Sequence, residues 1–377
     1  MKSIYDKEQR ILAEEYNRKK DRNNIIKSLL NIFFWIGFFV FSYEVKLYEI
    51  SAEIVKNYEL QLPLYLLLLF LIVYIYDTLL DYFFSYKLGK KYNLINQEVK
   101  GWIVDNLKSF FISIVLIYIT VRIYLFLIGS YPDYWWLILT VLGSIFSVIL
   151  TFLFPVVLLP MFYKLKPYPE GDLKDKIMQF IKKINLQVEE IYEINLSTKV
   201  NFSNAAVAGL GKTRKILLGD NLKKKYSDDE ITAVLAHELG HHALGHIYKN
   251  IFIQPFMYLF LSYVVYKLWP NIINWQNYGS TQVIYSLPLL LVLVYILSWL
   301  ISPLTLYLQR KQEREADRYA LERIENPGAL ATALARLADE SLSRLSLNWY
   351  KLIFKSSHPP IKKRVNRALE FQQNKEE

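Results

Sequence analysis

At 377 residues, with 53% hydrophobic and 16% aromatic residues, the chain is longer and more apolar than one soluble domain requires, and its lack of cysteine excludes a disulfide framework and thiol chemistry. Its net charge of +10 would suit a nucleic-acid binder, but the cations are distributed as in membrane loops rather than on one basic face, so no nucleic-acid partner is expected. With thiolates excluded, any metal would be held by His and carboxylate.

Residues 1 to 27 are too charged for a cleaved signal peptide and are expected to remain as a cytoplasmic N-terminal segment. Six apolar runs follow, at about 28 to 48, 63 to 84, 108 to 128, 134 to 160, 251 to 268 and 284 to 307. Each is close to the ~20 residues a helix needs to cross roughly 30 Å of hydrocarbon. They predict a four-helix membrane region over 28 to 161 and two further membrane helices over 250 to 307. Lys and Arg crowd residues 2 to 27, the loop from Lys87 to Lys108, the segment 164 to 249 and the chain beyond Arg310, whereas the loops at 129 to 133 and 269 to 282 have none. By the positive-inside rule both termini and both large polar segments lie on the cytoplasmic side, with Trp135, Trp136, Trp269 and Trp275 at the opposite interface. Within the spans, Asp77 and Arg122 are each expected to face water or polar groups inside the bundle, because charge is costly in hydrocarbon.

The polar segment 162 to 249 reads as the first half of a catalytic domain. Pro167, Pro169 and Gly171 mark a turn, and Leu173, Ile177, Phe180, Ile181 and Ile184 form a helical stripe. Stretches 190 to 195 and 215 to 218 predict short strands. Between them, the small residues from Phe202 to Gly209 form either an ordinary strand or a sheet edge open to an extended substrate.

Ser227 and Glu230 make a capping box, and Ile231, Val234, Leu235 and Leu239 continue at helical spacing. That helix carries His237-Glu238-Leu239-Gly240-His241, an HExxH pattern. Its two histidines, four apart, project from one face and can grip one ion, usually zinc. Glu238, one step round the turn, can take a proton from a water on that metal as it attacks a peptide carbonyl. Four of the chain's five histidines fall between 237 and 246, which sets the pattern apart from a chance match. His242 and His246 are weaker candidates: the three-histidine form of the motif needs Gly at 244 and His at 247, where this chain has Leu244 and Ile247. A third ligand must come from elsewhere.

Residues 308 to 377 read as the second half of the catalytic domain. Gln312 to Leu321 predicts a helix on which Glu313 and Asp317, four apart, share a face. One carboxylate can complete a tetrahedron while the other orients a ligand imidazole, with Glu315 in reserve on another face. His358-Pro359-Pro360 places the fifth histidine in a stiff loop six residues before Arg364, either as a donor to an oxyanion or as a loop residue without a chemical role.

In order and spacing, HELGHHALGH, the Glu313-to-Asp317 segment, Ser203-Asn204-Ala205 and SHPPIKKR at 357 to 364 resemble the integral-membrane zinc CAAX prenyl endopeptidases, gluzincins related to heat-shock protease X. KPYPEGDLKDKI at 166 to 177 and the stretch from 81 to 110 are similar to the same family. The resemblance implies one Zn2+ per chain held by His237, His241 and Glu313, with Glu238 as general base, Asp317 behind the ligands and His358 assisting the oxyanion. It further implies that the strand at Asn204 and Ala205 pairs with substrate and that Arg364 lies near the site. The expected fold is a multi-pass α-helical membrane protein with a cytoplasmic α+β zincin (gluzincin) catalytic domain. The expected partners are the lipid bilayer and a prenylated or other membrane-associated peptide or protein. Two alternatives are a membrane-protein quality-control protease resembling heat-shock protease X, and a non-catalytic zinc-binding membrane scaffold. The first family's best-known members have seven spans where six are read here.

Overall fold

The computed structural model describes residues 4–377. In chain order it contains helices α1 (Lys7–Val40), α2 (Tyr43–Ile54), α3 (Glu59–Lys91), α4 (Val99–Ser130) and α5 (Trp135–Phe162). Next come strand β1 (Leu165–Pro167), helix α6 (Asp172–Lys183), strands β2 (Glu190–Ile194), β3 (Ala205–Ala208) and β4 (Lys215–Gly219), and helix α7 (Asp228–Ala243). Helices α8 (His246–Trp275), α9 (Leu287–Arg323), α10 (Gly328–Glu340) and α11 (Ile361–Glu376) complete the fold. Among the described residues, six helices are long and apolar enough to cross a membrane: α1, α3, α4, α5, α8 and α9.

The outer surface of these helices is apolar. Phe252, Phe256 and Phe260 recur every fourth residue along α8 and are 69%, 58% and 59% exposed, an apolar stripe suited to contact with lipid. Leu62, Tyr65, Leu66, Trp135 and Trp269 fill the interior of the bundle. Trp135 and Trp269 are buried inside the bundle, where Tyr124 packs edge-on against Trp135 at 5.5 Å, and Trp275 alone of the four is strongly exposed. Arg122 reaches Glu59 at the start of α3, 2.8 Å away, an ion pair that answers its charge at the end of the bundle.

The first crossing departs from the sequence boundaries at both ends. No break separates the charged N-terminal segment from the first span: α1 is one helix of 34 residues, capped by the Asp6 carboxylate accepting from Gln9 N–H at 3.0 Å. It stops at Val40 instead of 48 because Ser42 takes a left-handed conformation, φ 51°, that turns the chain into α2. Its early turns dock on the far end of the chain, with Arg10 donating to the carbonyls of Ser343 and Ala338 at 2.7 and 2.6 Å. Asn17 donates to the Leu342 carbonyl at 2.7 Å.

The part of the chain outside the bundle is α+β and is continuous with the bundle's own helices. Its four strands lie in the order β1-β2-β4-β3, with β2 and β4 parallel and the outer strands antiparallel to them. Strand β1 occupies the stretch predicted as the start of a turn, where Leu165 to Pro167 pair with Ile194 to Tyr192. An edge place suits Pro167, which has no N–H to donate. The other outer strand, β3, has one open edge.

Behind the sheet, α7 buries Ile231, Leu235 and Leu239 at 1%, 1% and 0% exposure, among Leu173, Ile177, Ile216 and Leu218. Burial of each such side chain contributes about 1.5–3 kcal/mol relative to exposure. The capping box is formed, with Glu230 N–H donating to Ser227 Oγ at 3.3 Å and Ser227 N–H donating to Glu230 Oε2 at 2.9 Å. Helix α9 is continuous over 37 residues, so the sixth span and the predicted acidic helix are one rod, and Glu313 is fixed to a membrane helix. It crosses α7 at Gly240, where a Cβ would stand 3.1 Å from Tyr319 Cδ1 and 3.4 Å from the Ala316 backbone. The missing side chain is what lets the two helices approach.

Candidate active site

Helix α7 presents His237 and His241 toward α9, and α9 returns Glu313 between them. His237 Nε2 lies 3.4 Å from Glu313 Oε2, and His241 Nε2 lies 3.4 Å from Glu313 Oε1. One donor atom from each of the three residues falls within 4.8 Å of the others, a spacing that can hold one metal ion. Glu313 Oε2 is buried and accepts no hydrogen bond of ordinary geometry, although His358 Nδ1 comes within 2.7 Å. An anionic oxygen buried in this way calls for a cation, and two imidazole nitrogens with one carboxylate suit zinc.

The supporting residues are as ordered as the donors. His237 Nδ1 lies 3.0 Å from Asp317 Oδ1, so Nδ1–H donates to the carboxylate and Nε2 keeps its lone pair for a metal. Asp317, 2% exposed, is also clasped by Arg364, which donates through Nε to Oδ2 at 2.9 Å and through Nη2 to Oδ1 at 2.6 Å. Burial lowers the proton affinity of His237, but the Asp317 and Glu313 carboxylates against its two ring nitrogens outweigh that and carry it up to about 9. In the absence of a metal, a proton therefore occupies the site at neutral pH.

A cavity of about 210 Å³ opens beside His237 and Glu238 and is lined by Asn204, His358, Arg364 and the apolar side chains of Leu330, Leu334 and Ile361. Next to it, Gly219 N–H donates to the Asn204 carbonyl at 2.9 Å, which fixes the alternation along β3. The backbone groups of Ala206 and Ala208 face β4, and those of Ala205 and Val207 face the open edge. Asn204 Oδ1 accepts from Ala205 N–H at 3.0 Å, and His242 Nε2 lies 3.3 Å from the Val207 carbonyl. The Ala205 carbonyl and the Val207 N–H remain on the edge.

The candidate site residues lie together in this neighbourhood, though not always in the expected setting. Arg364, expected beside the substrate, is both a cavity residue and the buried partner of Asp317. His242 lies away from the three donors: Arg214 Nε donates to its Nδ1 at 3.2 Å, and burial above all pushes it down to about 4, so it is a neutral brace between α7 and β3. His246 lies against His241, with 3.0 Å between their Nδ1 atoms. Neither role was legible in the motif, although the crowding of histidines at 237 to 246 pointed to the region.

Residues 167–372 match peptidase family M48, and residues 1–164 match the CAAX prenyl protease N-terminal family, described as having five membrane helices. The uncharacterized metalloprotease YhfN of Bacillus subtilis is 30% identical over 95% of this chain and 84% of its own length. CAAX prenyl protease 1 of Saccharomyces cerevisiae is 28% identical over 78% of this chain and 69% of its own. The crystal structure of S. mikatae Ste24p superposes with a TM-score of 0.89 at 22% identity, covering 97% of this chain and 90% of the other, and so shares the fold. The chain belongs to peptidase family M48, in the integral-membrane CAAX prenyl protease family, and is a membrane metalloprotease.

Proposed function

We propose that the protein is a zinc endopeptidase that cleaves near the carboxyl terminus of prenylated, CAAX-type membrane-associated proteins, with its termini and catalytic domain on the cytoplasmic side. The observation that carries the chemistry is the convergence of His237, His241 and Glu313 on one point beside Glu238, at the end of an open strand edge. His237, His241 and Glu313 would hold a zinc ion, which when bound would supply Lewis acidity toward the scissile carbonyl and acidify a water to a pKa of roughly 7. His237 enters this chemistry as the neutral ring, its Nδ1–H directed at Asp317.

The substrate lies extended along β3, pairing with the Ala205 carbonyl and Val207 N–H, while the Asn204 side chain closes one end of the strand. Glu238, facing the cavity, takes the proton of the attacking water and delivers it to the leaving amine. His358, 56% exposed and beside Glu313, is free to turn toward the substrate carbonyl and stabilise its oxyanion. Arg364 lends positive charge to the same wall of the cavity while holding Asp317. The relatives named as CAAX prenyl proteases, together with the lipid-facing surface, support a substrate delivered along the membrane.

The test is cleavage of a farnesylated CAAX peptide by purified protein. Glu238→Gln should retain one zinc per chain and lose about 10²–10⁴-fold in kcat, the span of general-base catalysis. A variant that still turns over at the wild-type rate would remove Glu238 from the mechanism. Cleavage of unprenylated membrane proteins, with the farnesylated peptide left intact, would overturn the substrate class and favour a quality-control role.

A further inference from the structure

His241 differs from its neighbour on the same helix. His237 is oriented by a carboxylate in direct contact, whereas the ring nitrogen of His241 that faces away from Glu313 meets another histidine. That second ring, His246, is 1% exposed and makes two polar contacts: Nδ1 lies 3.0 Å from His241 Nδ1, and Nε2 lies 3.0 Å from Glu315 Oε2.

The proton positions follow from the chemistry of the partners. An ionised carboxylate only accepts, so His246 Nε2 carries the hydrogen, and in the neutral ring Nδ1 is then the acceptor. His241 Nδ1 must donate to it, which leaves the lone pair of His241 on Nε2, the atom 3.4 Å from Glu313 Oε1. Lys249 also faces this carboxylate, with Nζ 3.9 Å from Glu315 Oε2. His246 itself is no metal donor, because it contacts the far side of the His241 ring.

We propose that Glu315 and His246 form a positioning relay that fixes the tautomer and orientation of His241, so that both zinc-binding histidines are supported from one helix: His237 directly by Asp317, and His241 by Glu315 acting through His246. The proposal rests on the reading of His237, His241 and Glu313 as zinc ligands. Alternate acidic residues of α9, Glu313, Glu315 and Asp317, then serve one centre in three ways. The sequence hides the arrangement because His246 is out of phase with His241 on a single helix. The two are separate helices, and Gly245 between them, at φ +67°, takes the left-handed turn that brings His246 back onto His241.

The test uses the full-length protein in detergent, with zinc affinity read by competition against a chromophoric chelator and ligand geometry read from the d–d spectrum of the cobalt-substituted form. Removing the partner of a ligating imidazole typically costs 10–100-fold in metal affinity. His246→Leu should lose that much and shift the cobalt spectrum. Glu315→Ala should move both readouts the same way, and His246→Leu/Glu315→Ala should be no worse than His246→Leu alone, because the carboxylate acts only through the ring. His246→Gln, whose amide oxygen can accept from His241 Nδ1–H, should restore most of the affinity.

Wild-type affinity and spectrum in both His246→Leu and Glu315→Ala would overturn the relay, as would additive losses in the double variant. If His246→Leu does not fold, Glu315→Ala against Glu315→Gln decides alone, since Glu315 is a partly exposed surface residue. His241→Ala and Glu313→Ala separate the two readings. If both still bind zinc normally the ligand assignment fails, and if they lose zinc while the His246 and Glu315 variants keep it, only the relay fails.

Discussion

Replacing Asp317 by alanine removes two things at once, and their separation is measurable. The carboxylate is 2% exposed, accepts two hydrogen bonds from Arg364 and stands 3.0 Å from His237 Nδ1. Loss of the imidazole's partner is worth about 10–100-fold in zinc affinity, or about 1.4–2.7 kcal/mol. The substitution also strands a buried guanidinium whose Nη2 is 3.5 Å from both His237 ring nitrogens and whose Nη1 is 3.6 Å from Glu313 Oε2. Breaking one side of such a buried pair typically costs about 3–5 kcal/mol, and the freed cation repels a divalent metal.

Arg364→Ala removes the cation and leaves His237 its acceptor, so zinc should bind at least as tightly as in the wild type. Asp317→Ala/Arg364→Ala should bind zinc more tightly than Asp317→Ala alone. Competition titrations on the four proteins give the cycle. Equal zinc affinity for Asp317→Ala and the double variant would show that the Arg364 charge is not felt at the metal. Wild-type affinity in Asp317→Ala would remove the carboxylate from the support of His237 altogether.

Because His237 is carried up to about 9 in the metal-free protein, above its ordinary 6.5, its ring is protonated at pH 7 and must give up that proton to bind zinc. Zinc affinity should therefore rise with pH up to about 9 and level beyond it, with a proton released at pH 7; calorimetry in buffers of different ionisation enthalpy measures it, and a binding enthalpy independent of buffer would refute it. Gly240→Val places branched carbons where even a Cβ would stand 3.1 Å from Tyr319 and 3.4 Å from the Ala316 backbone, so α7 and α9 must separate. Overpacking of this kind costs about 1–3 kcal/mol, and thermal unfolding with and without zinc should show a lower midpoint and a smaller stabilisation by the metal. An unchanged zinc-induced shift would mean that the helix spacing does not set the donor geometry.

How far local sequence reaches is seen by comparing particular residues. His237 and His241 were legible because a helix repeats every 3.6 residues and their spacing fixes a common face. Strands β2 and β4 were legible from their short apolar runs, and the six long apolar helices from run length. By contrast, His246 follows a left-handed glycine, so helical spacing could not show that it packs against His241. The end of the first span was misplaced for the same reason, since a single left-handed residue, Ser42, outweighed the apolar run.

By itself the sequence determined the number of long apolar helices, the absence of thiolate ligands and the helix that carries the two histidines, because each depends on composition or on interactions spanning a few residues. Only the tertiary structure decided how Glu313, Glu315 and Asp317 divide their labour, that Arg364 is tied to Asp317, and which carbonyl and N–H of β3 stay open. Those outcomes depend on the crossing of α7 over α9 and on the edge position of one strand. The side-chain contacts among them join residues 47 to 127 positions apart, and packing and charge compensation in three dimensions select them rather than any local preference.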